Sequence, residues 1–253
     1  MTSASEGFFI SDYENDAKKS ILEHVKKEFA YDLPTQTDEW GCVTATGAFI
    51  INRLTQANTV TPSVLDTRIG RDEDKPGDTN LLALEFLNFG LSIDSHAPFS
   101  PLDAPSKKLV HGEIDFDTYF KIFQEHYGNV TEENYHKLRE YYTNTFIPSS
   151  LAAETRFVEY EKSGQSVTHN ESQISESLVE EMVNEGKYIF ATETMDAGVV
   201  HAVAIFRPST KLPALKFFPE VEESGIEVIT RYDYENISSS PIGAVALWSQ
   251  LGS

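Results

Sequence analysis

Cys42 is the only cysteine in the 253-residue chain, and its position suits a nucleophile. It stands between an extended stretch that begins at residues 33–34 (Leu-Pro) and an apolar helical segment that begins at Val43. A thiol at a helix N-terminus meets unpaired N–H groups and the positive end of the helix dipole, which lower its pKa and favour the thiolate. Gly41 permits a sharp turn and close approach of a substrate. Alternatively, Cys42 is a small buried residue of a core helix.

A thiol nucleophile needs a general base, and His201 is the strongest candidate. It lies near the start of VVHAVAIF (residues 199–206), an apolar run typical of a central strand, and therefore near one edge of the sheet. There it could take the thiol proton and return it to a leaving group. Alternatively, it is a core histidine with satisfied hydrogen bonds. The remaining histidines lie in polar helices or loops: His24, His96, His111, His126, His136 and His169.

Two further roles would complete such a site. The imidazole needs an acceptor on its second nitrogen, and Asp233 ends the alternating segment GIEVITRYD (225–233). If this strand lies beside the strand of His201, its end meets the start of an antiparallel neighbour. Asn236 is the alternative acceptor, and Asp233 could instead simply start a turn. A tetrahedral oxyanion needs donors, which the backbone N–H of Cys42 and the side-chain amide of Gln36 could supply.

The positions of the apolar residues predict the elements that would hold these side chains. Helical spacing favours helices at residues 14–30, 43–56, 79–90 and 172–186, and apolar runs favour strands at 187–193, 199–206, 225–233 and 242–249. Residues 195–198 (Met-Asp-Ala-Gly) predict a tight turn before His201. Because helices come first and strands follow, we expect an α+β fold, with N-terminal helices packed on a mainly antiparallel C-terminal sheet.

Two stretches interrupt this pattern. We interpret residues 61–78 as a long solvated loop. That loop has some likeness to a calcium-binding loop in Asp72, Asp74 and Gly77, but Ala83 stands where a bidentate glutamate is needed. Residues 94–150 combine a Pro- and Ser-rich start with two aromatic helices, and we interpret them as a helical insertion or subdomain within one domain that spans the whole chain.

Gln36 and Cys42 in QTDEWGC, followed directly by an apolar helix, resemble the start of the double-glycine, bacteriocin-processing cysteine peptidases. This family belongs to the papain-like group and has a glutamine six residues before its nucleophile. Three later segments are similar to the family in order: SLVEEMVNEGKYIFATE, VVHAVAIF and EVITRYD. The resemblance covers residues 33–56 and 172–248. It implies a single papain-like peptidase domain with a Cys42, His201 and Asp233 triad and Gln36 in the oxyanion hole.

The chain departs from that family in three places. Val43 follows the cysteine where the family usually has glycine, and Asp233 lies farther beyond His201 than the family's aspartate does. The helical residues 94–150 also exceed the family's minimal domain. These departures leave the substrate open, including the family's usual leader peptide that ends in two glycines.

The predicted function is that of a cysteine peptidase-like hydrolase. It would cleave an amide bond, peptide or isopeptide, in a peptide or protein substrate through a thioester intermediate. One alternative is a transglutaminase- or deamidase-like acyl transferase, which shares the order of cysteine, histidine and aspartate. The other is a catalytically inactive papain-like binding or scaffold module, whose acidic surface would suit a basic partner.

The composition narrows the possible partners. Asp and Glu number 40 against 20 Lys and Arg, a formal charge of -20, so nucleic acid and anionic membrane surfaces are poor partners. A single cysteine excludes an internal disulfide and any multi-cysteine zinc site, and we expect neither a metal nor a cofactor. We also expect no membrane span and a cytoplasmic location, although a protein exported without a cleaved signal would have a similar sequence.

Overall fold

The structure is a computed structural model of the chain. It describes residues 15–29, 33–56, 59–73, 77–96, 104–127, 132–170, 174–194, 200–209, 212–221, 224–230, 233–234, 237 and 244–249. Within these ranges the protein has the predicted α+β class, with helices gathered in the first two thirds and strands concentrated in the last third. The expected turn at 195–198 and the alternative orienting residue Asn236 lie outside the described residues.

The described helices lie mostly before residue 163, with one more at Glu176–Asn184. They are α1 (Asn15–Phe29), α2 (Cys42–Thr55), α3 (Pro62–Ile69), α4 (Thr79–Asn88), α5 (Ala104–Val110), α6 (Phe116–Tyr127), α7 (Glu132–Tyr141), a π-helical turn (Tyr142–Phe146), α8 (Ile147–Lys162) and α9 (Glu176–Asn184). None of the described helices combines the length and the apolar character that a membrane crossing requires.

The strands form one mixed sheet. They are β1 (Leu91–His96), β2 (Val167–Asn170), β3 (Tyr188–Thr194), β4 (Val200–Phe206), β5 (Leu215–Phe218), β6 (Gly225–Val228) and β7 (Ala244–Ser249), arranged in the order β2-β1-β7-β3-β4-β5-β6. Only β1 and β2 pair in parallel, and all other described pairs are antiparallel. The prediction of a mainly antiparallel sheet is therefore confirmed.

The alternation of side chains along β4 divides the core between the two faces of the sheet. Ala202, Ala204 and Phe206 pack with α2 on one face. Val203 and Ile205 pack with α9 on the other face. Because both faces are covered by helices, β4 is apolar from Ala202 to Phe206, which is why its sequence is a nearly continuous hydrophobic run.

Helix α2 is the central helix of the first face, and it is almost completely buried from Val43 to Ile51. Its Gly47 lets a second helix approach closely, since a Cβ atom at this position would lie 2.6 Å from a methyl carbon of Leu82 in α4. Phe49 fills the space between α2 and the sheet, with its ring stacked on Phe217 at 4.2 Å between centroids. These contacts fix where the N-terminus of α2, and hence Cys42, stands against the sheet.

The expected solvated loop at 61–78 is wrong over its first half, because α3 occupies Pro62–Ile69. The Thr61 side chain caps α3 by accepting from the Val64 N–H, and Pro62 takes the first helical position, where a missing N–H does no harm. Gly70, with φ of 66°, ends the helix in the left-handed conformation. The capping signal is present in the sequence, but the polar residues after it favoured a loop interpretation.

The expected helical insertion at 94–150 has different bounds. Residues 94–96 belong to β1, and helices continue beyond residue 150 to Lys162 before β2 returns to the sheet. The segment has its own small aromatic core, formed by Leu109, Phe116, Tyr119 and Phe120.

Two polar contacts join the helical segment to the N-terminus of α4. The Asn80 amide donates to Ser150 Oγ at 3.2 Å, and Ser149 Oγ donates to Asp78 at 2.8 Å. Asp78 also caps α4 by accepting from the backbone N–H groups of Asn80 and Leu81. The segment is therefore anchored on the helix layer that carries α2.

The expected strand at 225–233 is too long and has the wrong neighbour. Strand β6 ends at Val228, and it pairs with β5, which lies between β6 and β4. Strand β5 was not predicted, because it is short and contains a buried lysine, Lys216, that interrupts the apolar pattern.

Candidate functional site

Cys42 is the first residue of α2, and this helix end lies against the start of β4. Gly41 precedes it without a side-chain cap, so the first N–H groups of the helix are not satisfied by a capping side chain. The backbone of Ala202 lies close enough to the sulfur to favour the charged form of the thiol. One turn further along, Thr46 Oγ1 donates to the Ala202 carbonyl at 3.0 Å. Both contacts tie Cys42 to the residue that follows His201.

Gln36 and His201 meet at the carbonyl oxygen of Pro219. Gln36 Nε2 donates to this oxygen at 2.7 Å, and His201 Nε2 lies 3.1 Å from it. The Gln36 backbone N–H donates to the Glu220 carbonyl at 2.9 Å. This bond holds the loop before Cys42 against the residues that follow β5. Since a carbonyl only accepts, His201 Nε2 carries a proton, and Nδ1 of the neutral ring is the nitrogen left with a lone pair.

The first turn of α2, which begins at Cys42, packs beside Ala202, but the Cys42 and His201 side chains lie on different faces of β4. Alternation places His201 on the same face as Val203, where its partner in the adjacent strand β3 is Glu193. Cys42 packs with the residues of the α2 face. Among the described residues, no hydrogen bond joins the Cys42 sulfur to the His201 imidazole. In this structure the two side chains therefore do not form a catalytic pair.

The structure does not bring Asp233 to His201. Its Oδ1 accepts from Lys216 Nζ at 2.6 Å, and its Oδ2 accepts from the Thr230 N–H at 2.8 Å. The reason is the intervening strand β5, which separates the end of β6 from β4. The nitrogen that Asp233 was expected to orient is instead bonded to the carbonyl of Pro219.

A buried ionic cluster lies on the His201 face of the sheet. Lys216 Nζ donates to Glu193 at 3.2 Å as well as to Asp233, and the Lys216 and Glu193 side chains are each 7% exposed. Burial opposes ionisation of Asp233, but its hydrogen bonds with Lys216 and Thr230 outweigh burial and lower the pKa of the carboxyl. Burial likewise disfavours the Lys216 ammonium, but the two carboxylates raise its pKa. Lys216 and Asp233 are therefore both charged at neutral pH.

The expectation of a lowered thiol pKa at Cys42 is wrong. Burial around the sulfur raises the pKa of the Cys42 thiol, because it removes water from the thiolate. The N–H groups of Ala202 and Val43 and the charge of Arg71 act in the opposite direction but do not outweigh burial. The sequence shows the helix N-terminus, but it does not show how completely the sulfur is enclosed.

Burial also lowers the pKa of His201, against the opposing charges of Glu220 and Glu193. With the thiol pKa raised and the imidazole pKa lowered, both groups are neutral at pH 7 in this structure. The resting site is therefore a thiol and an imidazole rather than a thiolate–imidazolium pair.

The lowered pKa of His201 predicts how stability depends on pH. As pH falls through about 6.5, the unfolded chain binds a proton at His201 before the folded chain does. The free energy of unfolding should therefore decrease from about pH 7.5 to about pH 5.5. Urea denaturation at both pH values checks this, since the decrease should be smaller in His201→Gln than in wild type. Equal decreases would show that His201 titrates normally.

Thr46 gives a second prediction, because its hydroxyl is fully buried and links α2 to β4. Thr46→Val keeps the shape but removes the donor to the Ala202 carbonyl, so the variant should be less stable by about 1–2 kcal/mol. Urea denaturation measures the loss. Thr67→Val is a matched control, since the Thr67 hydroxyl donates to the Ser63 carbonyl within an exposed turn of α3. A loss no larger than that of the control would contradict the role of Thr46.

Three residues that sequence reasoning missed take part in the site. They are Pro219, whose carbonyl receives both Gln36 and His201, Lys216, which binds Asp233, and Arg71, which binds the turn before Cys42. A backbone carbonyl leaves no signal in sequence. The buried lysine and arginine could have been suspected only once β5 and α3 were known.

A cavity opens beside Arg71. Its other lining residues come from the end of α3, from the α3–α4 connection, from α4 and from the helical segment: Ile69, Gly70, Asp72, Asp78, Leu81, Tyr141 and Thr145. The helical segment thus contributes to the surface next to Arg71. Within the described ranges, no group of three or more His, Cys, Asp or Glu side chains is arranged to hold a metal ion.

Comparison with known proteins finds no matching family model, no matching curated protein and no matching solved structure.

Proposed function

We propose that the protein is a papain-like thiol hydrolase that cleaves an amide bond, with Cys42 as nucleophile and His201 as general base. One observation carries the proposal. Gln36, Cys42 and His201, singled out by residue type and spacing, converge on two neighbouring backbone sites, Ala202 and Pro219. Such convergence of residues from distant parts of the chain is what a catalytic constellation requires.

The proposed reaction begins with the neutral pair. His201 Nδ1 takes the thiol proton as the sulfur of Cys42 attacks the amide carbonyl carbon, and the carbonyl electron pair moves to oxygen. The tetrahedral intermediate collapses by breaking the C–N bond, and the imidazolium gives its proton to the leaving amine. Water then attacks the thioester, His201 takes the water proton, and the proton returns to the sulfur as the acid product leaves.

The groups around Cys42 and His201 fit distinct roles in this reaction. Hydrogen bonding of Nε2 to the Pro219 carbonyl keeps the lone pair on Nδ1, the role first given to Asp233. The N–H of Cys42 and the second amide hydrogen of Gln36 are donors for the oxyanion. Because Cys42 lies on the other face of β4, turning the His201 side chain alone does not bring the ring to the sulfur, and the step requires the start of β4 to shift as well.

The amide could belong to a peptide bond, an isopeptide bond or a side-chain amide. An amine in place of water would make the same site an acyl transferase. The acidic chain, with a formal charge of -20, favours a basic or neutral peptide or protein over an acidic one.

A second candidate is an inactive papain-like binding module. It is favoured by two observations: burial raises the pKa of the Cys42 thiol, and His201 packs on the opposite face of β4. In that case the thiol is a core group and the acidic surface is the functional part.

Alkylation of Cys42 by iodoacetamide at about pH 7 separates the two functions, because the chain has only this cysteine. If His201 accepts the thiol proton, alkylation of the native protein depends on the imidazole, and His201→Ala reacts more slowly than wild type. If Cys42 is only a core residue, native protein reacts more slowly than unfolded protein, and His201→Ala behaves like wild type. The second pattern would overturn the proposed function.

A further inference from the structure

Arg71 holds two side chains of the turn that precedes Cys42. Its Nη1 and Nη2 donate to the Asp38 carboxylate at 3.1 and 2.9 Å, and its Nη2 also donates to Thr37 Oγ1 at 2.5 Å. Nε and Nη2 donate to the carboxylate of Asp66 at 2.6 and 3.1 Å. Its side chain is only 3% exposed. Two bidentate pairs of this kind fix a guanidinium in both position and orientation.

The turn itself is tightly built. Asp38 Oδ1 accepts from the Trp40 N–H at 2.8 Å, and the Asp38 carbonyl accepts from the Gly41 N–H at 3.1 Å. A Cβ atom at Gly41 would lie 2.9 Å from Thr37 Oγ1, so the chain folds back closely on itself. Because this turn joins Gln36 to Cys42, its shape sets the distance and angle between the two.

Arg71 is also joined to helix α3, on the side away from the turn. Its backbone N–H donates to the Asp66 carbonyl at 2.9 Å, just after Gly70 ends α3. Helix α3 is held in the core by Leu65, which is fully buried. The Thr37 hydroxyl also donates to Asp66 Oδ2 at 2.9 Å. The guanidinium therefore joins the turn to the core through α3.

We propose that Arg71 is a positioning residue of the thiol site, which clamps the turn between Gln36 and Cys42 and so holds the nucleophile and the oxyanion donor in register. This inference rests on the proposed function, since it assigns Arg71 a role in that same reaction. The guanidinium acts through the turn and does not itself meet the substrate.

The clamp depends on the forked shape of arginine rather than on charge alone. A lysine at position 71 keeps the positive charge but cannot serve two carboxylates bidentately. Arg71→Lys therefore tests position separately from charge. Arg207→Lys is the matched control: Arg207 is also buried, and it donates to the Leu212 carbonyl and to Asn184 Oδ1, both at 2.6 Å. It follows Phe206, at the end of β4 opposite to His201.

The test is the rate of iodoacetamide alkylation of Cys42 in native wild type, Arg71→Lys and Arg207→Lys, at a temperature where circular dichroism shows all three folded. We expect Arg71→Lys to react at about one tenth of the wild-type rate or below, since small misplacements of a reacting group have large effects on rate. Arg207→Lys should react like wild type. If Arg71→Lys does not fold, Thr37→Val, compared with Thr67→Val, should show a slower rate in its place.

The outcomes separate this inference from the function it rests on. If wild type reacts fast and depends on His201, but Arg71→Lys or its substitute Thr37→Val reacts equally fast, Arg71 is not a positioning residue while the proposed function stands. If both lysine variants slow equally, the effect is a general loosening of the core, and the inference also fails. If native wild type reacts more slowly than unfolded protein and His201→Ala matches it, the proposed function fails and the role of Arg71 falls with it.

Discussion

His201→Asn should slow the acylation of Cys42 at least about a hundredfold, because general bases contribute on the order of 10²–10⁴ to rate. Asparagine is a polar residue that packs in a similar space, but its amide cannot take the thiol proton at neutral pH. The measurement is the initial burst of p-nitrophenolate on mixing with p-nitrophenyl acetate at about pH 7. The acyl group moves to sulfur as p-nitrophenolate leaves.

The control for this variant is His111→Asn. The His111 imidazole is bonded to Glu154 at 3.0 Å on an exposed part of the helical segment. This variant should give the same burst rate as wild type. A burst that survives in His201→Asn would show that another group activates Cys42, or that the nucleophile is elsewhere in the chain.

Phe49→Ala should destabilise the protein by about 3–5 kcal/mol, the range for truncating a buried aromatic ring. Phe49 is 1% exposed, and its ring packs between Phe206 and Phe217 at centroid distances of 5.3 and 4.2 Å. The loss should appear as a lower urea midpoint with an unchanged slope. Because Phe49 positions α2 on the sheet, Cys42 in the protein that remains folded should also be alkylated more slowly by iodoacetamide.

Val158→Ala is the control for the core substitution, since Val158 is 46% exposed on α8. Its effect on the free energy of unfolding should stay within about 0.5 kcal/mol. A loss below about 1 kcal/mol for Phe49→Ala would mean that the core closes around the missing ring. In that case α2 would not depend on this contact for its position.

The elements that could be predicted are those whose sequence pattern matches their burial. Helix α2 is mostly apolar because it is buried, and β4 is apolar after His201 because helices cover both of its faces. Strand β1 was missed because buried polar residues, Ser92, Ser95 and His96, hide its alternation. Their burial depends on partners in other parts of the chain, which a local pattern cannot contain.

The candidate site divides along the same line. The places of Gln36 in a loop and of His201 at the start of a strand could be predicted, because both follow from the local sequence pattern. The position of Asp233 could not, because it depends on strand order. An unpredicted strand, β5, separates it from His201 and supplies the lysine that binds it.

The charge state of the site also could not be predicted. A helix N-terminus and a nearby arginine favour the thiolate, but burial of the sulfur raises the pKa of Cys42 against both. Burial is a property of the packed structure, set here by α2 and β4 together. A mechanism that starts from neutral groups is therefore a consequence of the fold.

The most direct test of Cys42 as a nucleophile is to look for its acyl thioester. Native wild type is mixed with p-nitrophenyl acetate at about pH 7, quenched in acid and mapped by peptide mass spectrometry, with Cys42→Ala as control. The proposed mechanism predicts one acetyl group on Cys42, removed by hydroxylamine and strongly reduced in His201→Asn. Acetylation of lysines alone, with Cys42 unmodified in the native protein, would contradict it.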